Sequence, residues 1–204
     1  ANYQVLAVPT DVTQEDSVAN LFAQTVKAFG RVDLLFNNAG ISPKGPGGSR
    51  LNTLETDLRT WGQVFHVNFF ASVILARGLQ AELAAAKGSI VNVTSIAGSR
   101  VHPFAGAAYS TSKAALAALT REMAHDFGPL GVRVNAIAPG WIATPLTQAL
   151  QDDTDRSAVI LGRTPMARWG TPADVAGPVL FLASPAAAFI TGVILPVDGG
   201  YLIT

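Results

Sequence analysis

The residues best suited to chemistry in this sequence are a tyrosine and a lysine four positions apart, Tyr109 and Lys113. On a helix this spacing puts both side chains on one face, one turn apart. An unperturbed tyrosine has a pKa of about 10, too high for efficient acid–base work at neutral pH. At ~4 Å and an effective dielectric of ~20, an ammonium attracts the phenolate by about 4 kcal/mol before desolvation. We therefore predict that Lys113 lowers the pKa of Tyr109, so that Tyr109 acts as a general acid or base.

A serine and several other polar residues come directly after short apolar runs. Ser95 ends one such run and is placed to hydrogen-bond the oxygen that Tyr109 would protonate. Asp11, Asn37 and the pair Pro139-Gly140 occupy the same position after three other runs. The Tyr-x-x-x-Lys pattern alone is more often an ordinary pair on a surface helix, so the interpretation depends on this wider arrangement.

Apolar runs alternate with helical patterns along the chain, which predicts a parallel sheet with both faces covered. The fold class is α/β: a doubly wound, three-layer, Rossmann-type parallel sheet in a single domain spanning residues 1–204. In such sheets ligands bind beyond the carboxyl ends of the strands. Strands are predicted at 5–8, 32–36, 89–93, 132–137 and 193–197. Helices are predicted at 17–29, 58–83, 109–127 and 174–182, with a short helix near 145–150 in an otherwise irregular segment, 141–170.

The composition excludes several classes of function. There are 204 residues, 14 basic and 14 acidic, so a general attraction to nucleic acid or to an anionic membrane is not expected. Cysteine is absent and the three histidines are scattered, so no metal site is predicted. Residues 175–197 are uncharged, but their prolines and glycines predict a helix, a turn and a buried strand rather than a membrane span. We expect a cytoplasmic protein.

Taken together and in order, the motifs closely resemble those of the classical short-chain dehydrogenase/reductases, in particular the 3-oxoacyl-reductase-like members. The resemblance covers nearly the whole chain. Asp11-Val12 and Asn68 belong to it, as do the segments 139–144 and 197–200. The principal motifs are Asn37-Asn38-Ala39-Gly40, Val93-Thr94-Ser95, Tyr109-x-x-x-Lys113 and Asn135-Ala136-Ile137-Ala138-Pro139-Gly140.

This resemblance implies an oxidoreductase that transfers a hydride between NAD or NADP and a secondary alcohol or ketone. Tyr109 would exchange the proton, Ser95 would hold the reacting oxygen, and Asn68 would hold a water linked to the lysine. Lys113 would lower the tyrosine pKa and bind the nicotinamide ribose. The cofactor-binding positions that it implies are Asp11, Val12, Asn37, Asn38, Ala39, Gly40, Tyr109, Lys113, Pro139, Gly140, Ile142 and Thr144.

The sequence departs from the family pattern in two places. Ser95 and Tyr109 are 14 positions apart, one more than is usual, and the loop 99–108 can absorb the extra residue. The family's first two strands, with the glycine-rich turn that receives the pyrophosphate, are not recognisable here. We therefore expect an additional N-terminal segment of about 50 residues, judged from average element lengths. The residue that selects NAD or NADP would lie in that segment, so the choice of cofactor stays open, as do the substrate and the direction of reaction.

Two other functions compete with this interpretation. The protein could be a catalytically inactive scaffold or oligomer partner, because the pyrophosphate loop is missing. Ser110-x-x-Lys113 matches the nucleophile motif of β-lactamases, although its companion motifs are absent. The apolar Trp141, Ile142 and Leu146 suggest a partly apolar small-molecule substrate, and Arg100, His102 and Trp169 are further candidates for the pocket. The resemblance also implies a homotetramer, or a homodimer, formed through helices 58–83 and 109–127.

Overall fold

The computed structural model describes residues 4–204 and contains a parallel sheet with helices on both faces. Its four strands are β1 (Leu34–Asn37), β2 (Ser89–Val93), β3 (Arg133–Pro139) and β4 (Ile194–Val197), adjacent in that order. Leu34 is paired with Ser89 and Ser89 with Arg133, so the first three strands are in register. The predicted α/β, Rossmann-type fold is confirmed.

The helices follow the predicted alternation with the strands. Gly30, at a φ of 72°, ends the first helix as expected, because glycine adopts this left-handed conformation without strain. The helices are α1 (Glu15–Phe29), α2 (Leu58–Phe65), α3 (Ala71–Gly78), α4 (Gln80–Ala86), α5 (Ala107–Phe127), α6 (Gln148–Gln151), α7 (Thr154–Gly162) and α8 (Pro172–Ala183).

Side chains of the strands alternate between two cores, one on each face of the sheet. Ile90 and Val134 point into the larger core, which they share with α1, α3, α4 and α5. Val91 and Ile137 point to the opposite face, where α8 covers them. Because both faces are covered, the strands are apolar almost throughout, which is why they were recognisable in the sequence.

The strand predicted at residues 5–8 does not form. These residues have no regular structure, and Val5 is 84% exposed. A strand is stabilised by hydrogen bonds to a neighbouring strand, and no residue within 4–204 pairs with this segment. The prediction of a strand at residues 5–8 was therefore wrong, although the run is apolar.

The long helix predicted at 58–83 is interrupted twice. A π-helical turn, His66–Phe70, separates α2 from α3, and a bend of 61° at Leu79 separates α3 from α4. Apolar periodicity continues through both interruptions, so it could not reveal them. No single helix within residues 4–204 has the length and hydropathy to cross a bilayer, although the bent pair 58–78 and 80–86 meets the criteria together. Residues 175–197 form α8, a turn and β4, as predicted.

The segment 141–170 is more ordered than the sequence suggested. Besides the short α6, it contains α7, which the sequence analysis missed. The Asp153 side chain caps α7 by accepting a hydrogen bond from the backbone N–H of Arg156. Ile142 and Gly170 pair as an isolated parallel bridge, so both ends of the segment lie together beside the sheet.

Candidate active site

A cavity of about 490 Å³ lies where β1, β2 and β3 reach their carboxyl ends. Asn38 follows β1, Ser95 follows β2, and Pro139 ends β3, and all three contribute to its wall. Parallel strands bring their carboxyl ends to one edge of the sheet, so residues far apart in sequence meet there. The cavity therefore lies beyond the carboxyl ends of the strands, where the sequence analysis predicted that a ligand binds.

Ser95 and Tyr109 both line this cavity. Ser95 caps a short turn, Ile96–Gly98, and its Oγ accepts a hydrogen bond from the backbone N–H of Ala97. This turn packs against α5 so closely that a Cβ on Gly98 would lie 2.8 Å from the backbone nitrogen of Ala114. A glycine at position 98 thus permits the contact that brings Ser95 to the first turn of α5, where Tyr109 lies.

The pKa of Tyr109 moves in the opposite direction from the one predicted. Burial raises it, and the hydrogen bond with the Ser95 side chain opposes that rise only in part. The Lys113 Nζ lies 5.9 Å from the centre of the Tyr109 ring and donates a hydrogen bond of 2.7 Å to the Val93 carbonyl. Because the ammonium is held by that carbonyl, desolvation decides the pKa of Tyr109 in this state of the molecule.

Lys113 is itself buried, with 4% of its surface exposed. Burial lowers its pKa from 10.5 to about 8, because the charged ammonium loses hydration there. Lys113 nevertheless lines the cavity, and its Nζ lies next to the turn that follows β1, since a Cβ on Gly40 would lie 3.5 Å from it. A cation at this point can be partnered by a group that enters the cavity.

Asn68 lies in the π-helical turn and joins three parts of the site without lining the cavity. Its Oδ1 accepts from the N–H of Ile41 at 2.8 Å, and its Nδ2 donates to the Ile41 carbonyl and to Ser112 Oγ. Ser112 Oγ in turn donates to the Tyr109 carbonyl. The loop after β1 is thus tied to α5 through one buried amide, and π-helical turns of this kind occur frequently at functional sites.

The predicted cofactor-binding residues divide into two groups. Eight of them line the cavity, namely Asn38, Gly40, Tyr109, Lys113, Pro139, Gly140, Ile142 and Thr144. Gly140 is closely packed, since a Cβ there would lie 2.7 Å from the Cα of Asp198. This position therefore requires glycine, and it brings the end of β3 against the chain that follows β4.

The remaining four predicted residues lie outside the cavity. The Asp11 carboxylate accepts hydrogen bonds from the N–H and the hydroxyl of Thr13, two residues later in the same turn. These hydrogen bonds lower the pKa of Asp11. Val12 packs on the larger core, and Ala39 is exposed. The Asn37 Nδ2 donates to Asn92 Oδ1, a buried pairing beneath the cavity that the sequence analysis did not single out.

Apolar side chains line part of the cavity, as the sequence suggested. Trp141, Ile142 and Leu146 are among the lining residues, whereas Trp169 and Arg100 are not. The side chain of Arg100 instead donates to the Leu202 and Thr204 carbonyls. Sequence reasoning missed several other lining residues, among them Phe104, Leu150, Lys44 and Arg156.

His102 reaches the cavity as a neutral side chain. It is 2% exposed and stacks on Tyr201 at 5.2 Å between ring centres. Burial, followed by the charges of Arg100 and Arg163, lowers its pKa from 6.5 to about 4. No group of histidine, aspartate or glutamate side chains suited to a metal ion occurs in the described part of the chain.

Comparisons with known proteins identify the relatives of this chain. A family model described as Enoyl-(Acyl carrier protein) reductase matches residues 1–202. Protein FixR of Bradyrhizobium diazoefficiens is 57% identical over 166 residues, which cover 81% of this chain but only 58% of that relative. Cis-4-hydroxycyclohexanecarboxylate dehydrogenase of Sinomonas cyclohexanicum is 41% identical over 98% of this chain and 78% of its own length.

A solved structure shows the same likeness in three dimensions. It is of a putative NAD(P) dependent gluconate 5-dehydrogenase from Beutenbergia cavernae with bound NADP, and it superimposes with a TM-score of 0.85. The two sequences are 39% identical, and the match covers 96% of this chain and 76% of that one.

Proposed function

The chain belongs to the classical short-chain dehydrogenase/reductases, a family of NAD(P)-dependent oxidoreductases, and on that basis we propose that it interconverts a secondary alcohol and a ketone. The observation that supports the proposal is the convergence of Ser95, Tyr109 and Lys113 on one cavity at the carboxyl edge of the sheet. Ser95 follows β2, whereas Tyr109 and Lys113 lie one turn apart on α5. A structural role alone does not require a half-buried phenol, a hydroxyl and a buried ammonium to meet there.

The residues present fit the nicotinamide end of NAD or NADP. Lys113 Nζ would bind ribose hydroxyls, and the turn at Asn38 and Gly40 would lie along the cofactor. Ile142 and Thr144 would hold the carboxamide. When bound, the cofactor supplies or accepts the hydride, and the protein contributes position and proton transfer. Asp11, Val12, Asn37 and Ala39 stay proposals for contacts outside the cavity.

Tyr109 is proposed to exchange the proton with the substrate oxygen. Its raised pKa keeps the phenol protonated at neutral pH, which is the form that donates to a developing alkoxide during ketone reduction. Ser95 would donate a hydrogen bond to the same oxygen and so stabilise the charge that forms on it. Asn68 would act indirectly, because its side chain positions Ile41 and Ser112 rather than reaching the cavity.

The test is the substitution Tyr109→Phe, which removes one hydroxyl from the cavity. We expect turnover to fall by at least about a hundredfold, the usual contribution of a general acid. Binding of NADPH, followed by its fluorescence, should change little, since the ring and Lys113 remain. Tyr201→Phe is the matched control, because it removes a phenolic hydroxyl that does not line the cavity.

Two results would decide against the proposal. If Tyr109→Phe retains the rate of the wild type, the proton comes from another group. If the wild type shows no redox turnover with either cofactor over a panel of ketones and secondary alcohols, the inactive-scaffold alternative is favoured.

We also propose that the protein assembles as a homotetramer, with a homodimer as its smaller unit. α2, α3 and α5 would form one contact, and the region around β4 another. Exposed apolar side chains on these elements support this, with Leu58 86% exposed and Phe189 fully exposed. We place the protein in the cytoplasm, because its reaction draws on the cellular pool of nicotinamide cofactor.

A further inference from the structure

Two cationic side chains, Lys44 and Arg156, line the cavity in addition to Lys113. Lys44 comes from the loop between β1 and α2, and Arg156 from the first turn of α7. Among the residues of the described chain that line the cavity, none is an aspartate or a glutamate. The charged side chains that line the cavity are therefore all cationic, although the protein as a whole has a formal net charge of zero.

Both cations are held at the wall by other groups. Lys44 Nζ donates to the Phe104 carbonyl, which anchors it while leaving its charge without a neutralising partner. Arg156 Nε contacts Asp153 Oδ2 at 3.1 Å. A guanidinium has five N–H donors, and no hydrogen bond from Arg156 Nη1 or Nη2 to a residue within 4–204 is found. These Nη groups remain available to a ligand.

The two charges are close enough to influence each other. The pKa of Lys44 is lowered first by desolvation and then by the charge of Arg156. Like charges that face one space repel, and an anion between them removes the repulsion and gains charge-assisted hydrogen bonds. A planar carboxylate suits a guanidinium particularly well, because its two oxygens can accept from two N–H groups at once.

The same cavity has apolar lining residues as well as these cations. Phe104, Trp141, Leu146 and Leu150 contribute to its walls, and the Phe104 carbonyl accepts the hydrogen bond from Lys44. A ligand that satisfies both the cations and these walls has a charged end and a hydrocarbon body. A neutral substrate would leave the two cations without an anionic partner.

We propose that the substrate is a hydroxy acid or oxo acid with a largely apolar body, whose carboxylate binds between Lys44 and Arg156. This inference rests on the proposed function, since the carbon that is oxidised or reduced must still meet Tyr109. It adds the substrate class and two specificity-determining residues. The carboxylate is bound and not chemically changed.

The experiment compares oxo acids with their methyl esters, which keep the carbon skeleton and remove the charge. The probes are 4-oxopentanoate, 5-oxohexanoate and 6-oxoheptanoate, because the series varies the distance between ketone and carboxylate. Binding is followed by tryptophan fluorescence, since Trp141 lines the cavity, and reduction is measured in parallel with NADH and with NADPH. For at least one length we expect the acid to bind at least tenfold more tightly than its ester.

The variants Lys44→Met and Arg156→Met test which residues bind the carboxylate. Each should raise the KM for the acid about tenfold, as expected for loss of one charge-assisted contact, and leave kcat and the KM for the ester unchanged. Lys44→Arg should recover part of the preference, because it restores the charge. Lys27→Met is the control, since Lys27 is exposed on α1 and lies outside the cavity.

Three results would overturn the proposal. In the first, the wild type binds every acid and its ester equally or binds neither. In the second, the Met variants weaken the binding of the acid and of its ester to the same extent. In the third, the Met variants weaken the binding of NADPH and leave the ratio of acid affinity to ester affinity unchanged. That result would assign the two cations to a cofactor phosphate. Failure of the proposed function is recognised separately: the acid preference would persist in binding while no probe is reduced.

Discussion

At the scale of single residues, desolvation is the main influence on the titratable groups of the cavity. Burial raises the pKa of Tyr109, lowers that of Lys113 to about 8, and lowers that of His102 to about 4. Each shift favours the uncharged form, as removal from water requires. The cavity thus holds a phenol and an imidazole that are neutral near pH 7, beside an ammonium that has lost part of its preference for the proton.

The neutral His102 predicts a specific dependence of stability on pH. Its folded pKa of about 4 lies below the ordinary 6.5, so between these values the unfolded chain binds more protons than the native one. The free energy of unfolding should therefore fall as the pH falls from 6.5 to 4, by at most about 1.4 kcal/mol per pH unit from this group. Denaturant unfolding at several pH values in this window measures the effect.

His102→Phe should remove this contribution, because phenylalanine keeps the stacking on Tyr201 and cannot take a proton. The difference in stability between variant and wild type should grow in favour of the variant as the pH is lowered. His125→Phe, near the end of α5, serves as the control. A constant difference across the window would show that His102 is protonated equally in both states.

At the scale of elements, the helices begin and end where local chemistry directs them. α8 shows this most clearly: Thr171 Oγ1 accepts from the N–H of Asp174, and the Asp174 carboxylate accepts from the Thr171 N–H at 2.7 Å. Pro172 takes the first helical position, where a missing N–H costs nothing. Arg168 adds a further contact to Asp174. Since α8 covers one face of β2 and β3, its start also determines how that core is closed.

Thr171→Ala should destabilise the protein by about 1 kcal/mol, the usual cost of losing such a cap. The measurement is urea unfolding at neutral pH, compared with Thr53→Ala, which removes an exposed threonine from a turn. Equal effects of the two substitutions would contradict a capping role for Thr171. Cofactor binding should be unaffected, because Thr171 does not line the cavity.

At the scale of the whole molecule, several apolar side chains remain uncovered. Phe189 is fully exposed, and Leu180 and Ile203 are more than half exposed, all in the C-terminal part of the chain. Leu58 and Phe70, at the start of α2 and the end of the π-helical turn, are exposed as well. Contiguous apolar patches on a protein surface commonly mark protein–protein contacts.

The proposed homotetramer predicts a light-scattering mass of four chains at micromolar concentration. Phe189→Ser should shift the population toward dimers if the C-terminal region forms the second contact. Leu54→Ser is the control, because Leu54 is equally exposed but lies outside both proposed contacts. A monomer peak for the wild type would contradict the assembly.

The sequence alone indicated the α/β alternation of most strands and helices and the family to which the chain belongs. Buried strands such as β2 are nearly continuous apolar runs, and glycine at position 30 and threonine at 171 mark helix ends, because these signals act between neighbours in the chain. The Tyr-x-x-x-Lys spacing is likewise local. The apolar run at residues 5–8 did not suffice to predict a strand correctly, since strand formation depends on pairing with another segment.

Only the tertiary structure decided the charges and the contents of the cavity. The direction of the Tyr109 pKa shift depends on burial and on the Val93 carbonyl that holds Lys113, neither of which is visible in the spacing. Asn68 binds Ile41 and Ser112 across many residues. Lys44 and Arg156 meet at one cavity although 112 positions separate them. Desolvation and long-range contact arise from packing, and a pattern of residue types along one chain does not contain them.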